Sequence, residues 1–158
     1  MPEKDAVREQ LIALLRGGNA HLGFDDAVKD LPEKLRGVTP KGVPHSAWQL
    51  LEHMRIAQWD ILEFSRNPKH VSPTFPEQYW PESKTPSDAD WKKSIASFKK
   101  DLQAMEDLVS DTKTDLYAKI PHGDGQNILR ETLLVADHNA YHLGQLVLVR
   151  RLLGAWND

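Results

Sequence analysis

The chemistry open to this chain is set by seven histidines and no cysteine. His138 and His142 stand four residues apart in D-H-N-A-Y-H-L-G-Q. On an α-helix that spacing puts both imidazoles on one face, with ~5–6 Å between Cβ atoms. Two such rings can converge on one metal ion, the arrangement used by H-E-x-x-H helices. They can equally be core histidines bonded to side chains or water. No Asp, Glu, Lys or Arg occurs from His138 to Val149, so this stretch is expected to be buried, with Val135, Leu146 and Val149 as its apolar stripe. A neutral imidazole in a core has two nitrogens to satisfy, and a metal satisfies one on each ring.

His53, in W-Q-L-L-E-H-M beside Leu50 and Met54, completes a set of three histidines from two helical segments. Three neutral imidazoles leave open coordination positions, which is the pattern of a catalytic rather than a structural site. They suit Zn, Ni, Fe or Cu better than Mg or Ca, which take oxygen ligands. Gln145 shares the face of His138 and is a candidate to line the pocket or orient a ligand. His45 stands where it could face the site or support a helix cap. Asp60, seven residues after His53, could orient an imidazole, although a solvated helix face is its expected place. His21, His70 and His122 lie in turn-like surroundings and are expected at the surface. Gly144, inside a helical span, points to a close helix approach, since an interior glycine costs ~1 kcal/mol against alanine.

The elements that must carry these residues are delimited by ten prolines. Proline inside a helix costs ~3 kcal/mol, so helices belong in the proline-free spans. Four spans with helical periodicity result, at 3–17, 46–66, 88–110 and 127–153, and a shorter piece is expected within 21–31. Ser46 is a good N-cap for the second span. In the third, Trp91, Ile95, Phe98, Leu102, Met105 and Val109 recur at alternating spacings of four and three, the seam of a bundle helix. No alternating strand pattern and no internal repeat is found. The expected fold is all-α, a four-helix bundle in a single domain over 1–158. Residues 67–87 form a proline-rich link carrying Phe75, Tyr79 and Trp80, long enough to make the second and third helices parallel. Those aromatics either strap one side of the core or border the metal pocket.

Composition removes several classes of function. The chain has 158 residues, 40% of them hydrophobic and 27% charged, as expected of an ordinary globular domain with its own core. Twenty basic against 23 acidic residues give a net charge of −3, with no basic cluster for nucleic acid. Without cysteine there is no disulfide, thiolate zinc site or cysteine nucleophile. The longest apolar run, Leu11 to Leu15, is far short of the ~20 residues that span a bilayer. The first residues lack a secretory pattern, which makes the cytoplasm the default location.

Three segments together resemble the DinB-like (DinB/YfiT) superfamily: P-H-S-A-W-Q-L-L-E-H, D-H-N-A-Y-H-L-G-Q and R-R-L-L-G-A-W. The resemblance covers almost the whole chain. It implies an up-down-down-up four-helix bundle in which the long link between helices two and three makes the parallel crossover. It also implies a divalent transition metal, zinc, nickel or iron, on His53, His138 and His142. Characterised relatives include bacillithiol- and mycothiol-dependent S-transferases and a mycothiol-dependent maleylpyruvate isomerase, so a low-molecular-weight thiol is a further implied cofactor. The expected function is that of a metal-dependent thiol S-transferase or hydrolase acting on a small molecule. The alternative is a non-enzymatic metal-bearing bundle with a binding or stress-response role. A small molecule or thiol is the expected partner, with a homodimer allowed and no nucleic acid or membrane.

Overall fold

Local capping explains where the long helices begin. In the computed structural model, which describes residues 2–156, Ser46 accepts from the Gln49 amide while the Gln49 side chain accepts from the Ser46 amide. This reciprocal pair satisfies two of the donors that a helix start leaves free. Ser87 and Asp90 repeat it, and Asn127 accepts from the Arg130 amide. The helices that follow are α4 (Ala47–Arg66), α5 (Asp88–Ser110) and α6 (Ile128–Leu152). Before them come α1 (Pro2–Arg16), the short α2 (Phe24–Val28) and α3 (Glu33–Arg36). The four long helices match the four expected spans to within one residue at each described end. The piece expected within 21–31 is one short turn of helix, and α3, directly after Pro32, was not anticipated. Proline stands comfortably just ahead of a first helical turn, so Pro32 starts α3 rather than ending anything. No strand occurs among the described residues, apart from one isolated bridge between Lys119 and Asn127.

The packed faces form an all-helical bundle. α4 lies at its centre, against both α5 and α6, and α1 packs on α5 and α6. One part of the core gathers Leu50, Leu51, Met54, Trp91, Phe98, Leu146 and Val149; another gathers Leu11, Leu15, Leu62, Met105, Val109 and Val135. Each fully buried aliphatic side chain contributes roughly 1.5–3 kcal/mol, and this burial holds the bundle together. Two polar ties cross it. Gln58, almost wholly buried, donates to the Phe98 carbonyl at 2.8 Å and accepts from the Asn139 amide at 2.9 Å. The buried Arg150 guanidinium donates to the carbonyls of Ala27 and Ala155 and lies over the Trp156 ring, fixing α2 to the end of α6.

The pairings also give helix direction locally. Along α4 and α5, Ser94 meets Glu52 and Phe98 meets Gln58, so both numbers rise together. Between α1 and α5, Arg8 reaches Val109 whereas Arg16 reaches Glu106, so the numbers run in opposite senses.

Candidate metal centre

His53 faces α6 from the second turn of α4, and His138 and His142 face back from successive turns of α6. Each histidine offers one ring nitrogen to a group whose atoms all lie within 4.8 Å of one another. His53 and His138 approach closest, with their Nε2 atoms 3.1 Å apart. The rings meet at steep angles: His142 stands edge-on to His53 at 4.5 Å between centroids and is tilted against His138 at the same separation. The i, i+4 spacing thus brings the pair together on one face, and α4 supplies the third ring.

The outward nitrogens are held. His53 Nδ1–H donates to the main-chain carbonyl of Tyr79 at 2.9 Å, which leaves Nε2 as the lone-pair nitrogen facing the cluster. His142 Nδ1 is 2.7 Å from Gln145 Oε1, the partner expected from its place on the helix. Metal-binding histidines are oriented in this way by carbonyl or amide partners.

The 67–87 link, which contains a 3₁₀ turn at Glu77–Tyr79, runs directly over this cluster. Trp80 stacks flat on His53, with centroids 4.0 Å apart and planes 4° from parallel, and His45 stacks on the other face of the indole at 3.9 Å. Of the two roles open to the link, it takes the one that borders the cluster. Phe75 is exposed and reaches only the Tyr79 ring, edge-on at 5.7 Å between centroids. The link is anchored by Asp60, whose carboxylate accepts from His70 Nε2 at 2.7 Å and from the Tyr79 hydroxyl at 2.5 Å.

Burial sets the electrostatics. Loss of hydration disfavours the imidazolium, so the pKa of His138 is pushed down to about 4, with the nearby charges of His142 and His53 adding to the shift. Burial likewise lowers His53, partly offset by the bond to Tyr79, and lowers His142 and His45. The Tyr79 hydroxyl is held well above its ordinary value, first by burial and then by the Asp60 carboxylate. At neutral pH the cluster is therefore three neutral imidazoles, the protonation state a metal requires.

The spacing fits a metal as well. Two nitrogens ~2.1 Å from one ion lie about 3.0–3.4 Å apart for angles between the octahedral and tetrahedral values. The 3.1 Å between His53 and His138 falls inside that range. Beside the cluster, a groove of about 80 Å³ is lined by Val43, Pro44, His45, Leu50, Gln145, Leu148 and Val149. A larger apolar cavity of about 210 Å³ lies toward α1, between Leu14, Met54, Phe98 and Leu143.

Several expectations need correction. His70 is not a surface residue: its side chain is 7% exposed and bound to Asp60. Asp60 is buried rather than solvated, and the imidazole it orients is that of His70, not of a cluster histidine. The charge-free stretch from His138 to Val149 is buried on one side only, because Ala140, Tyr141, Gly144 and Leu148 face outward. Gly144 makes no close approach within the chain, since a Cβ there would meet nothing within 4 Å. His21 and His122 are exposed as expected. That Tyr79 and Trp80 border the cluster was one of the two expected roles of the link, but the Tyr79 carbonyl bond and the Trp80 stack through which they do so were not anticipated. The only signal for them was the aromatic density of the link.

A family model described as the DinB superfamily matches residues 23–146, a span that takes in all three cluster histidines. No curated protein and no solved structure gives a significant match.

Proposed function

The chain belongs to the DinB superfamily, and from that premise we propose a divalent-metal enzyme, a thiol S-transferase or hydrolase acting on a small molecule. His53, His138 and His142 are its ligands and zinc, nickel or iron its metal. The observation that carries the reading is the convergence of three neutral imidazoles within 4.8 Å, two of them aimed by Tyr79 and Gln145. When bound, the metal supplies Lewis acidity, lowering the pKa of a coordinated thiol or water so that a nucleophile is present near neutral pH.

The chain's own residues do the rest. Tyr79 and Gln145 hold the proton on the outward nitrogens of His53 and His142. Trp80 excludes water from one face of His53. The groove beside His45 and Gln145 is the approach for a small substrate or a low-molecular-weight thiol. We assign this function to a single domain over 1–158 with up-down-down-up topology. That topology is supported by the parallel pairing of α4 with α5 and the opposed pairing of α1 with α5.

A second reading, a metal-bearing bundle with a binding or stress-response role, is favoured by how closely Trp80 covers His53 and how small the adjoining groove is. Loading the protein with zinc, nickel or iron and following thiol consumption across a panel of thiols and electrophiles separates the two. Turnover that His142→Ala abolishes supports the enzyme. Stoichiometric metal without turnover supports the second reading, and no metal uptake overturns both.

A further inference from the structure

The apolar cavity of about 210 Å³ beside α1 is set apart from the histidine cluster. Met54, Asn139 and Leu143 stand in its wall, and each follows a cluster histidine by one residue. One residue is a rotation of about 100° around a helix. The cavity therefore opens on a different face of α4 and α6 from the one that carries the three imidazoles.

Its deep wall is buried and apolar, made by Met54, Phe98, Ala136 and Leu143. Phe24, also in the wall, stacks on Phe98 at 4.0 Å between centroids. Aromatic rings and a thioether are surfaces against which another aromatic ring packs well. The rim is the 17–23 segment. Gly17 and Gly18 take φ values of 67° and 78°, the left-handed region that glycine enters without strain. The chain thus turns off the end of α1 and borders this space instead of filling it.

The polar side chains of the rim are already engaged: Arg16 with Glu106, Asn19 with the Ala13 carbonyl and His21 with the Leu22 carbonyl. Asn139 is the exception, and a chain of bonds fixes which way round it stands. The Phe98 carbonyl can only accept, so the amide nitrogen of Gln58 must face it. Gln58 Oε1 then faces Asn139 and accepts from its Nδ2. Asn139 Oδ1 is left over, buried and without a partner among the described residues. Buried acceptors are rarely left in this state, because an unpaired one forfeits its bond to water.

We propose that this cavity binds a small neutral aromatic molecule carrying one N–H or O–H, which donates to Asn139 Oδ1. A dry cavity of about 150 Å³ takes up benzene, so this one admits a single ring or a fused pair. No unpaired charge borders it among the described residues, so an ionised ligand would lose its hydration without compensation. The site does not depend on the metal reading.

Titrating the full-length protein with indole, with its methionine methyl groups labelled for NMR, tests this. Indole should bind saturably with a Kd of about 1 mM or below. It should move the Met54 methyl resonance and leave that of Met105, in the other part of the core, in place. Benzofuran has the shape of indole with an oxygen in place of N–H, and should bind about tenfold more weakly or worse. Asn139→Leu should bind the two equally, and His142→Ala should bind indole as wild type does. No saturable binding of indole overturns the proposal, as does a titration that spares Met54. So does a wild type that binds indole and benzofuran equally, or an Asn139→Leu variant that still prefers indole. Binding lost in His142→Ala would place the ligand at the cluster and overturn it as well.

Discussion

Replacing Tyr79 by Phe removes one oxygen and tests whether the link aims His53. The lost group is the hydroxyl that donates to the buried Asp60 carboxylate at 2.5 Å. Hydrogen bonds to a charged partner contribute about 1.5–3 kcal/mol, and breaking one side leaves Asp60 with His70 alone. Tyr79 is only half-buried, so water can partly replace the hydroxyl and the lower half of that range is expected, ~1.5–2 kcal/mol. For a chain of this size that is a fall of roughly 3–8 °C in Tm. The same residue's carbonyl accepts from His53 Nδ1, so a loosened link also loosens the ring. Losing such an orienting partner weakens metal binding 10–100-fold; because the carbonyl is displaced rather than deleted, a drop of about tenfold is expected. Urea denaturation of the metal-free protein gives the first quantity and zinc titration by calorimetry the second. Val71→Ala, at an exposed position of the same link, should change neither. Unchanged stability in Tyr79→Phe would refute the tether. Lost stability with unchanged zinc affinity would refute its role in orienting His53.

Acid should destabilise the metal-free protein through the cluster. The folded pKa of His138 is about 4, below its ordinary 6.5, so the unfolded chain takes up the proton first as pH falls. That stability is complete above pH 6.5 and is lost on the way down to about 4, with His53 and His142 acting in the same direction. Urea midpoints across that window should fall more steeply for wild type than for His138→Leu, and equal slopes would count against the assignment. Protein purified without chelator should carry roughly one metal per chain by elemental analysis, and His142→Ala should remove it. Arg150→Met leaves the Ala27 and Ala155 carbonyls without their donor and should lower stability by about 2–4 kcal/mol, read by calorimetry.

What could be read from the chain beforehand follows from how local each determinant is. Helix ends at Ser46 and Asn67 depend on a cap and on prolines a few residues away, and the end at Leu152 on Gly154 just beyond it, so they were legible to within one residue. The His138–His142 pair was legible because helical period is a property of spacing alone, whereas His53, on another helix, was joined to it only as the third imidazole that completes the set. The contribution of Tyr79 was not, because its working atom is a main-chain carbonyl that every residue type possesses. Asp60 and His70 are ten residues apart across a helix end, and only the path of the link decides that they meet. The charge-free run after His138 misled for a different reason. Hydrophobicity reports that a surface should be covered, but not whether the same chain covers it.

The sandwich of Trp80 between His45 and His53 bears on time rather than on affinity. An ion leaves a histidine site by letting one imidazole swing away from it. At His53 that swing is blocked on the flat face by the indole and at the edge by the Tyr79 carbonyl, both belonging to one segment. For the ring to turn, the link has to lift from the bundle, breaking its attachment to Asp60 as it goes. For an ion held at this centre, release through His53 would require local opening of residues 67–87. The segment that aims the ligand is also the clasp that keeps it shut.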